Sequence, residues 1–91
     1  MDIVKKQSLA ENQNRLQVRL ENTDFIVFQY QPQTDHALYD VCDLNGRIML
    51  TGEIINDHTR VEISDLYPDQ YILLVLDGDK VCSTKFILDD Y

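Results

Sequence analysis

Between Leu16 and Leu88 the apolar residues recur at every second position, and short clusters of Asn, Asp, Gly and Pro interrupt them at regular intervals. Side chains alternate between two faces only in an extended strand, so this period specifies strands rather than helices. "RLQVRLE" (15–21) sets Leu16, Val18 and Leu20 against Gln17, Arg19 and Glu21. "FIVFQY" (25–30) is aromatic and β-branched, as strands prefer. "HALYDVCDL" (36–44) places Ala37, Tyr39 and Val41 on one face and Leu38, Asp40 and Cys42 on the other. "RIMLTGEII" (47–55), "TRVEIS" (59–64), "YILLVLD" (71–77) and "KVCSTKFIL" (80–88) complete seven segments. No helical period longer than a turn is present. The fold class predicted is all-β: a seven-stranded antiparallel β-sandwich of immunoglobulin-like architecture, with a small barrel as the alternative closure. The core should hold Val41, Val61, Ile63, Leu66, Tyr71, Leu73 and Val75.

The turns carry their own chemistry. Asn45-Gly46 follows Asp43 and is the strongest short hairpin signal, with positive φ expected at both residues. Asp77-Gly78-Asp79 marks a second hairpin. Gly52, inside a strand pattern, predicts a bulge or a bend. Pro32 cannot donate to a ladder and places 31–35 in a loop. Residues 1–12 are polar and aperiodic, and read as a flexible amino-terminal arm ahead of a single domain over 13–91.

Ninety-one residues, 44% of them apolar, suffice for one modest core. The formal net charge is −8, divided as +2 over residues 1–20 and −10 over residues 21–91. An acidic body repels phosphate backbones, which disfavours nucleic acid as a partner. No apolar run approaches the roughly 20 residues of a membrane span, so membrane insertion is not expected. The amino terminus lacks the apolar core of a secretory signal. Two placements stay open: cytoplasmic if Met1 is the native start, exported to periplasm or surface if a leader was removed.

Candidate chemistry is sparse. Cys42 and Cys82 form no CxxC pair; they are either free, partly buried thiols or one long-range disulfide. His36 and His58 each follow an aspartate, and a metal site would need their loops to meet around a further ligand. "DGD" (77–79) and "DLNG" (43–46) lack the six or more oxygens that calcium takes. Ser64, Ser83 and the two thiols have no evident base. The expectation is a non-enzyme without cofactor or metal.

Four features of residues 36–88 carry a resemblance. An alternating strand ends in Asp43, then Gly46-Arg47. A later strand ends in Ile63, Ser64 and Leu66. Tyr71 opens the next strand with Leu73 and Val75 in phase, and Lys85-Phe86-Ile87 closes the chain. This pattern resembles the carboxy-terminal sorting domain of type IX secretion substrates (type A), and related small secreted β-sandwich domains of unknown function. It departs from them at Asp69, where such domains usually carry glycine, and at "YQPQ" (30–33), where they carry a Tyr-Pro-Asn-Pro-like segment. The resemblance implies a β-sandwich with Asp43, Gly46, Arg47, Leu66, Tyr71 and Lys85 as its motif positions. It also implies recognition by export machinery.

The segments "FIVF" (25–28) and "YILLVL" (71–76) are apolar on both faces. A sandwich strand with one solvated face does not need that. The expected function is therefore a non-catalytic interaction or structural module that docks a protein partner, or a second copy, through an apolar sheet face or an edge strand. The residues expected at that interface are Ile72, Leu74 and Leu76, with Phe25 and Val27 as neighbours. A sorting domain is the alternative.

Overall fold

The computed structural model of the protein describes residues 16–89. The arm expected over 1–12 lies outside the described residues. Among the described residues seven strands are present: β1 (Gln17–Glu21), β2 (Phe25–Gln29), β3 (Leu38–Asp43), β4 (Ile48–Glu53), β5 (His58–Glu62), β6 (Asp69–Asp77) and β7 (Lys80–Leu88). They form a three-stranded sheet, β1-β2-β5, and a four-stranded sheet, β4-β3-β6-β7. All pairings are antiparallel. Hairpins join β1 to β2, β3 to β4 and β6 to β7, while the other three connections cross between sheets. The fold is the antiparallel sandwich that the alternation specifies, and its strand order is consistent with immunoglobulin-like architecture.

The inward faces make one core. Ile26 and Phe28 of β2, Val41 of β3, Val61 of β5, and Tyr71, Leu73 and Val75 of β6 all belong to it, with Ile63 just beyond β5. Leu66 is only partly buried and packs against its edge. Tyr71 lies where the chain returns from the first sheet to the second. Its ring is buried and stacks on Phe86 at 5.8 Å, and its hydroxyl donates to the carbonyl oxygen of Tyr67 at 2.6 Å. A tyrosine that opens a strand and bonds back to the preceding corner recurs in Greek-key sandwiches, where it fixes the crossover. Burial raises the Tyr71 phenol above its ordinary pKa, with Asp69 and Asp43 adding to the effect.

Strand limits differ from the sequence reading where a competing hydrogen bond exists. β5 stops at Glu62 because the Ile63 N–H donates to the Asp24 carbonyl at 2.7 Å, and the Leu66 N–H to that of Ile63 at 3.0 Å. β6 begins earlier, at Asp69, because Asp69 and Gln70 pair with Leu88 and Ile87.

Two turn expectations are corrected. At Asn45-Gly46 only Gly46 has positive φ, +88°. The loop is three residues, not two: the Asp43 N–H donates to the Arg47 carbonyl and the Gly46 N–H to that of Asp43. Such a loop needs one left-handed residue, and Gly46 supplies it. Gly52 sits in register opposite Tyr39, with no bulge at its own position. The register shift of this hairpin falls where Val41 pairs with Leu50 and Cys42 with Ile48, which leaves Met49 as the extra residue. Gly52 is required for another reason. A Cβ there would lie 2.5 Å from the Tyr39 hydroxyl oxygen and 2.6 Å from its ring. At the β6–β7 turn Gly78 alone has positive φ, +61°, at the first of two loop residues, the signs of a type II′ turn.

Candidate functional site: an exposed apolar sheet face

The two sheets treat their outer faces differently. In the three-stranded sheet, Phe25 and Val27 point outward from β2. Val27 lies between Arg19 of β1 and Arg60 of β5 in register, and is only 8% exposed. The Arg60 guanidinium covers the Phe25 ring, 3.6 Å from its centroid, and its Nε donates to Glu21 at 2.6 Å. The Arg60 side chain thus roofs Phe25, while Val27 is flanked by arginines in register. Phe25 and Val27 are therefore not neighbours of Ile72, Leu74 and Leu76 as expected; they occupy the opposite side of the molecule.

The four-stranded sheet has no such roof among the described residues. Its outward residues follow from register. One row is Leu38, Leu76 and Val81, ending at Glu53 on β4. The next is Thr51, Asp40, Leu74 and Ser83. The third is Ile48, Cys42, Ile72 and Lys85. Ile87 stands beside Gln70 at the far end. Ile72, Leu74 and Leu76 are half-buried at the middle of the face. Leu38, Ile48, Val81 and Ile87 around them are between 41% and 63% exposed. The polar groups on the face are few: Asp40, Thr51, Glu53, Gln70, Ser83 and Lys85.

One end of this sheet is braced by a buried carboxylate. Asp77, at the close of β6, is 2% exposed. Its Oδ2 accepts from the Tyr30 hydroxyl and the Gln33 N–H, both at 2.7 Å. Its Oδ1 accepts from the Thr34 hydroxyl at 2.6 Å and the Thr34 N–H at 3.1 Å. These bonds join the β6–β7 turn to the loop that leaves β2. They hold the Asp77 carboxyl down at about 2, with the Thr34 hydroxyl contributing most, followed by Tyr30 and the Gln33 N–H. Burial, reinforced by the same Asp77 bond, raises the Tyr30 phenol well above its ordinary range. A turn aspartate was legible in the sequence; its partners, more than forty residues away, were not.

The opposite end carries Asp43, Gly46 and Arg47 in one turn. The Asp43 carboxylate accepts from the backbone N–H groups of Asn45 and Arg47 and from the Arg47 Nε. The Arg47 backbone bond chiefly lowers its pKa. Leu66 lies within the β5–β6 connection, Tyr71 is the third residue of β6, and Lys85 lies exposed on β7.

The remaining candidates stand apart. Cys42 and Cys82 are both free thiols, on opposite faces of the sheet because Cys42 faces outward and Cys82 joins the core. Burial, with Asp40 and Asp43 nearby, raises the Cys42 pKa. His58 Nδ1 lies 3.2 Å from Asp57, both exposed, and His36 sits on a different loop. Among the described residues no group of three metal-ligating side chains converges. A groove of about 630 Å³ crosses the β1–β2 pair toward Thr84 and Lys85, and among the described residues no carboxylate lines it. No helix among the described residues is long and apolar enough to cross a membrane. Compared with known proteins, the chain matches no family model and no curated protein.

Proposed function

We propose that the protein is a non-catalytic interaction module that docks a protein partner on the outer face of its four-stranded sheet. The observation that carries this reading is the contrast between the two outer faces. On one, Arg60 covers Phe25 and Val27 is buried; the other leaves Leu38, Ile48, Val81 and Ile87 open around Ile72, Leu74 and Leu76. Exposed apolar side chains gathered on one sheet face, here divided by the row that holds Asp40 and Ser83, are characteristic of a binding site. Burying a leucine or isoleucine contributes about 1.5–3 kcal/mol, so a few such residues can anchor a specific contact. A photo-crosslinking residue at Leu38, compared with one at Glu21 on the roofed sheet, tests this in the cells that make the protein. Adducts specific to position 38 are expected. Equal labelling from both positions would remove the proposal.

A second reading is the sorting domain. It is favoured by Asp43, Gly46 and Arg47 forming one hydrogen-bonded turn, since these are motif positions of the resemblance. The test is to place residues 13–91 behind a leader-bearing reporter in a bacterium with a type IX system. Surface release that fails on Asp43→Ala would support it. Retention of the reporter in the periplasm would exclude it.

A further inference from the structure

Among the described residues β7 closes the four-stranded sheet on one side, and its devices against pairing are few: Lys80 at its start and Lys85 near its end are its only charged residues. β4 is interrupted by its bulge, and β1 and β5 are five residues long with charged side chains along them. β7 runs nine residues in regular register with β6, without glycine, proline or bulge. Folded proteins usually blunt such an edge.

The direction of its backbone groups follows from one bond. The Asp43 N–H donates to the Arg47 carbonyl, so odd-numbered residues of β3 turn their backbone groups to β4 and even-numbered ones to β6. Carried through the register, Asp77, Val75, Leu73 and Tyr71 bond to Lys80, Cys82, Thr84 and Phe86. Val81, Ser83, Lys85 and Ile87 are left with their N–H and C=O groups pointing out of the sheet.

This edge is complementary to itself. A two-fold axis through Thr84 sets Val81 opposite Ile87 of a second copy and Ser83 opposite Lys85. Every outward N–H and C=O of these residues then finds a partner, because the residues that meet are the ones whose groups point out. The side chains agree. Val81 and Ile87, 63% and 57% exposed, cover each other twice, and no like charges face each other. The new pair also extends the apolar row of Leu38, Leu76 and Val81 into the second copy. An axis through Lys85 would oppose two lysines, and one through Ser83 would set Val81 against Lys85. A shift by a single residue would turn a core face outward.

We propose that β7 is the pairing edge for a second copy of this chain, joined antiparallel about Thr84 into one continuous sheet. The proposal stands on the edge alone and does not require a partner on the sheet face.

Sedimentation of the full chain and residue-resolved amide exchange test it together. The expected result is a concentration-dependent dimer in which the amides of Val81, Ser83, Lys85 and Ile87 gain protection as it forms. Ser83→Glu, facing Lys85 of the other copy, should tighten the dimer, and Ser83→Lys should weaken it. The separation expected is about 2- to 30-fold in dissociation constant, from two cross-strand pairs per dimer. Ser83 is exposed, so both variants should keep the wild-type circular dichroism spectrum. A strict monomer at the highest attainable concentration overturns the proposal. So does a dimer indifferent to both substitutions. So does protection of those four amides at every concentration in a monomer, which would mean that the same chain already fills the edge.

Discussion

Gly46 and Gly52 are not interchangeable: one is needed for its backbone angle, the other for its missing side chain. Gly46 has φ +88° and open space where a Cβ would stand. Gly46→Ala should therefore cost about 1–2 kcal/mol, the penalty of left-handed backbone for an L-residue, and no more. Gly52 has ordinary φ, but its Cβ would meet the Tyr39 ring, which packs edge-on against Phe28 at 5.7 Å. Gly52→Ala should cost about 1–3 kcal/mol by overpacking. A double-mutant cycle in urea separates the two. Tyr39→Leu should relieve the Gly52 variant and leave the Gly46 variant unchanged; equal effects on both would refute the assignment. The sequence showed that each glycine was special and misjudged one of them. A strand glycine signals close approach of something, and only the fold shows that a tyrosine on the neighbouring strand is what approaches.

At the scale of elements, β2 and β6 look alike in sequence, since both are apolar at consecutive positions. They meet different fates because their neighbours differ. β2 lies between strands that offer Arg19 and Arg60: Arg60 covers Phe25, and the two arginines flank Val27 in register. β6 lies between Asp40 on one side and Ser83 and Lys85 on the other, and gains no comparable cover. Arg60→Ala should thus destabilise the fold by about 1 kcal/mol, through the lost cation–π contact and the uncovering of Phe25. Glu21→Gln, which removes only the exposed ion pair, should cost less. Urea midpoints of the two variants check the order, and a larger loss for Glu21→Gln would show that the ion pair dominates. Alternation made the strands, the hairpins and most of the inward residues legible. Which apolar face ends covered was not legible, because it depends on cross-strand neighbours brought together by the crossover from β4 to β5.

For the whole molecule the decisive contact is Asp77, because it ties a loop leaving the first sheet to a turn of the second. The hydrophobic core holds the sheets face to face without regard to direction. The hydrogen bonds from Tyr30, Gln33 and Thr34 add a directional link at one end. This link depends on charge. Folding lowers the Asp77 carboxyl to about 2, against about 3.9 in an unfolded chain. As the pH falls, the unfolded chain takes up the proton first, which favours unfolding. The contribution is therefore complete above about pH 4 and lost as the pH drops through about 2. Asp43, also lowered, acts in the same direction, so wild type should lose stability across this window and not regain it. Asp77→Asn keeps the shape, gives up the charge and leaves Asp43 in place. Its melting temperature should be below wild type at pH 7, and the two curves should converge as the pH approaches 2. Parallel curves from pH 7 to pH 2 would show that the Asp77 carboxylate is not what links the sheets.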